Sequence, residues 1–109
     1  MHDWTETPAQ VRALPLRART EYLLRRFELQ PRKSLGQSFL INEGAAQLIA
    51  QTAAKPGRPL VEVGGGLGAL TVPLAGSGLP LTVVEIDPGA AAALAWLLVD
   101  LPHAQVVQE

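Results

Sequence analysis

The spacing of apolar positions changes repeatedly along this chain, and each change marks an element. Between 17 and 27, Tyr22, Leu23 and Phe27 recur at helical spacing while Arg19, Arg25 and Arg26 lean outward, and Pro31 ends the run. Asn42 is a good N-cap for a second helix over 43–54, with Ala45, Leu48, Ile49 and Ala53 on its apolar face and Pro56-Gly57 beyond its end. Residues 60–63 form a short apolar run that predicts a buried strand. Glycines at 64, 65, 66 and 68 follow, then a helix over 69–75. Pro73 must sit near its first turn, because a proline deep in a helix costs about 3 kcal/mol. A second strand over 80–85 ends at Glu85, and Asp87-Pro88 supplies an N-cap and first position for a helix through 99. Pro102 breaks that helix, and 105–108 begin a third strand. Residues 1–16, punctuated by Pro8 and Pro15, read as irregular.

Strands that alternate with helices call for a parallel sheet with right-handed crossovers, so the fold class is α/β. Three strands make half of a doubly wound sheet. The first strand of such a sheet is normally central, and here one of its edges has no predicted partner. An exposed apolar edge invites association, which makes the chain read as a fragment. Residues 1–31 are expected to form a basic helical arm and 32–109 the N-terminal half of an incomplete ligand-binding domain.

Composition narrows the function. Of 109 residues, 48% are hydrophobic and 17% charged, enough for a packed core. The absence of cysteine excludes disulfides and thiolate zinc sites, and the two histidines, His2 and His103, form no cluster for a metal. No apolar stretch approaches the roughly 18 residues that cross a bilayer, and 1–6 lack the pattern of an export signal. A soluble cytoplasmic protein without metal or membrane partner is expected. The formal charge is −1 but uneven: seven basic residues face four acidic ones over 1–40, and two face six over 41–109. The first third is therefore the part suited to touch phosphates.

The candidate chemistry lies at 60–85. Glycine accepts positive φ without the 1–2 kcal/mol, roughly, that other residues lose there, and its bare backbone lets a ligand lie against it. Gly64, Gly66 and Gly68 thus read as a close-approach surface. The turn fits two cofactors by spacing. Gly64-x-Gly66-x-x-Ala69, with Glu85 at the offset for ribose hydroxyls, satisfies the dinucleotide pattern. Gly64-x-Gly66-x-Gly68 preceded by Glu62 satisfies the S-adenosylmethionine version. Glu62 separates them: a carboxylate in a buried strand is costly, and a pyrophosphate gains nothing from it, whereas a cationic amino group and sulfonium do.

The arrangement resembles the small-subunit rRNA adenine dimethyltransferases. The matching stretches run over 29–42, with the specific block Lys33-Ser34-Leu35-Gly36-Gln37-Ser38-Phe39-Leu40, over Val61-Glu62-Val63-Gly64-Gly65-Gly66-Leu67-Gly68-Ala69-Leu70-Thr71, and over Val83-Val84-Glu85-Ile86-Asp87, within a similarity over about 20–109. The resemblance implies a Rossmann-like class I methyltransferase fold, here its first three parallel strands with N-terminal helices. It also implies methyl transfer from S-adenosylmethionine to adenine amines of small-subunit rRNA. By that analogy the loop around Gln37, Ser38 and Leu40 folds over the cofactor, Gly64 backs its methionine part and Glu85 holds its ribose, with Glu62, Gly66, Gly68 and Ile86 in the same cofactor site. Arg32 and Lys33 would lie beside the RNA entrance.

The family usually has Asn at the position of Ser38 and commonly Pro at that of Gly65. Its Asn-x-Pro-aromatic motif, which presents the target amine, occurs nowhere in these 109 residues, so no catalytic residue is assigned and the chain by itself is expected to lack turnover. A nicotinamide-dependent oxidoreductase fragment and a non-catalytic interaction module are the competing readings.

Overall fold

A computed structural model describes residues 3–30 and 42–109. The elements run α1 (Pro8–Arg12), α2 (Leu16–Arg26), α3 (Glu43–Ala53), β1 (Leu60–Val63), α4 (Thr71–Ala75), β2 (Leu81–Glu85), α5 (Pro88–Leu97) and β3 (Ala104–Gln108). The strands are parallel in the order β1-β2-β3. Leu60, Glu62, Leu81 and Val83 point to one face of the sheet, where they are buried under the helices, because side chains alternate along a strand. Val61 and Val63, on the other face, are 69% and 79% exposed.

Two clusters make the core. Leu60, Leu81 and Val83 of the sheet pack with Leu74 and Ala75 of α4 and Leu94 and Leu98 at α5. Val11 of α1, Leu23 of α2 and Leu67 pack with Ala90, Ala93 and Leu97 of α5. The N-terminal helices therefore share a core with α5. Arg12 fastens them: its Nη1 donates to the Leu97 carbonyl at α5's end (2.8 Å), and its guanidinium forms a two-pronged pair with Asp100. Arg26 lies 4.1 Å from the ring centroid of Trp96, which stacks on Tyr22.

Local chemistry explains the boundaries. Asn42 caps α3 by accepting from the Ala45 amide, and Asp87 caps α5 by accepting from the Ala90 amide, with Pro88 at the first position. The C-terminus of α2 closes with the Leu29 amide donating to Leu24 and the Glu28 amide to Arg25, which places Glu28 at φ 53.

Three expectations need correction. Residues 1–16 are not irregular: Thr7 and Gln10 form a reciprocal capping box that starts α1 at Pro8. Arg19 does not lean outward; it is 3% exposed and donates to the carbonyls of Arg12 and Leu14, closing the end of α1. On α3 the buried residues are Ala46 and Ala50, while Leu48 and Ile49 are exposed, because α3 approaches α4 through its small side chains. Near the N-terminus, the Trp4 ring packs edge-on against Tyr22.

Candidate functional site

β1 and β2 end side by side, and the site is built where they stop. The Gly64 amide donates to the Val84 carbonyl (2.7 Å), so pairing continues one residue past β1 before the chain turns. Gly64 and Gly66 adopt φ values of 76 and 58, and a Cβ on either would meet no atom of the described residues within 4 Å. Their open sides form a bare backbone hollow. The remaining glycines of the turn do different work. A Cβ on Gly65 would lie 2.5 Å from Val83 Cγ1 and 2.9 Å from Leu94 Cδ1, so this glycine is where the turn seats on the core. A Cβ on Gly68 would lie 3.0 Å from Leu97 Cδ2, which makes Gly68 a packing position as well.

Glu85, 3% exposed, reaches from the tip of β2 to the turn. Its Oε1 accepts from the Gly66 amide (2.7 Å) and its Oε2 from the Asp87 amide (2.8 Å). Each oxygen keeps a further lone pair for a ligand hydroxyl. Glu62, 8% exposed, lies under the same turn and accepts from Thr71 Oγ1 (2.5 Å). Burial pushes the Glu62 carboxyl up to about 6; the Thr71 hydrogen bond opposes that rise and the charge of Glu85 adds to it. Two acids held this close inside a protein make an electronegative floor beneath an open backbone. Such a floor suits a cation that also carries hydroxyl groups.

The structure thus brings together Glu62, Gly64, Gly66 and Glu85, with Gly68 one packing layer below and Ile86 exposed beside Glu85. Gln37, Ser38, Leu40, Arg32 and Lys33 lie outside the described residues. Thr71 is a site residue that sequence reasoning missed. Its signal was present: a hydroxyl nine positions after Glu62, opening the helix that follows the glycine turn. Among the described residues no group of three or more metal-binding side chains is placed to hold an ion, and no helix is long and apolar enough to cross a membrane.

Residues 28–108 match the family described as ribosomal RNA adenine dimethylase. The chain belongs to that family. Among curated proteins, the ribosomal RNA small subunit methyltransferase A of Verminephrobacter eiseniae is 45% identical over 80 residues, covering 72% of this chain and 27% of that protein. Its counterpart in Thermobifida fusca is 39% identical over 95 residues, covering 86% of this chain and 30% of that protein. The chain therefore spans under a third of the length of these dimethylase relatives. In three dimensions it resembles the glycopeptide N-methyltransferase MtfA, at TM-score 0.53 and 25% identity over 62% of this chain and 31% of that one. MtfA has also been crystallised with S-adenosyl-L-methionine, at TM-score 0.52 to this chain. The parallel sheet and its helices are accordingly part of a Rossmann-like methyltransferase fold, as the family membership requires.

Proposed function

We propose that this chain is the cofactor-binding part of an rRNA adenine dimethyltransferase, which transfers methyl groups from S-adenosylmethionine to adenine amines of small-subunit rRNA. One observation carries the reading: the Glu85 carboxylate grips the Gly66 amide at the rim of an open glycine hollow, with Glu62 buried under the same turn. The residues present fit the cofactor. Gly64 and Gly66 leave the room a side chain would fill, Glu85 offers acceptors to the ribose hydroxyls, and Glu62 offers charge to the ammonium group. When bound, S-adenosylmethionine supplies an electrophilic methyl group. This chain's part is to orient the cofactor from two sides and keep its cationic end desolvated but compensated.

In this reading Gln37, Ser38 and Leu40 complete the cofactor's enclosure, Ile86 and Gly68 flank it, and Arg32 and Lys33 at the start of the domain meet rRNA phosphates. The division into an arm over 1–31 and a cofactor domain over 32–109 follows the same logic. The cytoplasm is the compartment where rRNA and the cofactor meet. The exposed Val61 and Val63 at the outer strand support association along that side of the sheet.

Isothermal calorimetry with S-adenosylhomocysteine and with NAD tests the assignment. Binding of the first and not the second is expected. NAD binding without S-adenosylhomocysteine binding would replace this reading with the oxidoreductase one.

A further inference from the structure

Glu62 has an asymmetric setting. Its Oε1 accepts from Thr71 Oγ1, and Thr71 is fully buried as the first residue of α4. Its Oε2 has no hydrogen-bond partner among the described residues and retains contact with solvent. A carboxylate held by one oxygen and open at the other is oriented rather than satisfied. The hydroxyl has a second effect. As a donor it favours the charged form of the acid, opposing the desolvation that disfavours it. Among the described residues no other group offsets that burial. The charged side chain facing Glu62 from the adjoining strand is Glu85, which acts in the same sense as burial, while α4, α5 and β3 carry no titratable side chain.

We propose that Thr71 is a positioning residue of the cofactor site: its hydroxyl holds Oε1 of Glu62, keeping the carboxylate charged and its Oε2 turned to receive the cofactor's ammonium group. This rests on the functional reading above and adds to it a residue that never touches the ligand. The step is electrostatic, with no bond made or broken. It explains why a hydroxyl occupies a fully buried position on a helix otherwise made of Val, Pro, Leu and Ala.

The test uses the whole chain in two measurements. Carbon-detected NMR follows the Glu62 carboxyl through its titration in the ligand-free wild type, Thr71→Val and Thr71→Ser. Thr71→Val is expected to raise the midpoint by about one pH unit, the order of one hydrogen bond to a charged group, and Thr71→Ser to restore it. Thr71→Ala serves as the second hydroxyl-free variant if valine does not fold. Calorimetry with S-adenosylhomocysteine then compares affinities across pH. With the wild-type midpoint at about 6, a one-unit rise leaves about threefold less ionised Glu62 near pH 6.5 and almost no deficit by about pH 8. The affinity of Thr71→Val should follow that curve, and Thr71→Ser should bind like wild type.

An unmoved Glu62 midpoint in both hydroxyl-free variants overturns the proposal, as does an affinity loss of the same size at every pH, which is the mark of a merely structural defect. Glu62→Gln separates the two levels of the argument. If it binds S-adenosylhomocysteine as tightly as wild type, or wild type does not bind it at all, the cofactor reading falls and takes this proposal with it. If Glu62→Gln weakens binding while Thr71→Val leaves the pH profile unchanged, the reading stands and the role of Thr71 is refuted.

Discussion

Replacing Glu62 with glutamine should make the ligand-free chain more stable, although it removes a carboxylate from the candidate site. The carboxyl titrates at about 6 in the folded chain against an ordinary value of 4.5. Between those values the folded state holds more protons than the unfolded state. The stability contribution is therefore full below 4.5 and is lost as pH rises through about 6. A shift of that size corresponds to about 2 kcal/mol at neutral pH. Glutamine keeps an acceptor for Thr71 Oγ1 and carries no charge to desolvate. Glu62→Gln should thus gain about 2 kcal/mol at about pH 7.5, a rise in melting temperature on the order of 10 °C, and gain nothing near pH 4. Urea melts of both proteins at the two pH values measure it. A variant less stable than wild type at about pH 7.5, or one altered equally at both, would refute the claim that Glu62 is held charged against its desolvation. A saturating cationic ligand should reverse the ranking, since a hundredfold excess over Kd adds about 2.7 kcal/mol to whichever protein binds it.

Other positions give independent checks. Gly64→Ala meets no atom of the described residues but must hold φ 76, so it should cost about 1–2 kcal/mol in thermal melts while lowering S-adenosylhomocysteine affinity at least tenfold by calorimetry. Gly65→Ala should be destabilising by about 1–3 kcal/mol in urea melts, because its methyl group would overlap Val83 and Leu94 in the core. Glu28→Gly should stabilise by about 1 kcal/mol in the same assay, since Glu28 occupies the left-handed position that ends α2 and its backbone bonds need no side chain.

Most of this architecture was legible in the residue pattern because its signals are local. Asn42 and Asp87-Pro88 fixed two helix starts through backbone hydrogen bonds that depend only on near neighbours. Apolar runs bounded by glycine and proline located β1 and β2 to within a residue. α1 was equally local, with a capping box and a proline at its first position, and was obscured only because Pro8 also reads as a breaker. The failures were of another kind. Which side of α3 is buried depends on how closely α4 approaches, and Ala46 and Ala50 permit a contact that Leu48 and Ile49 would prevent. The burial of Arg19 depends on the carbonyls of α1 and the loop after it, which no periodicity in α2 reveals. At the site, Glu62 and Glu85 stood out because acids at the ends of buried strands are costly. Thr71 did not, because a threonine at a helix start has many ordinary explanations.

Glu85 binds the Gly66 amide with one oxygen and the Asp87 amide with the other, so a single side chain rivets the exits of two neighbouring strands. The rim of the hollow is then assembled before any guest arrives. Less ordering entropy then remains to be lost at this rim on association. Any change that slackens this rivet bears on both exits at once.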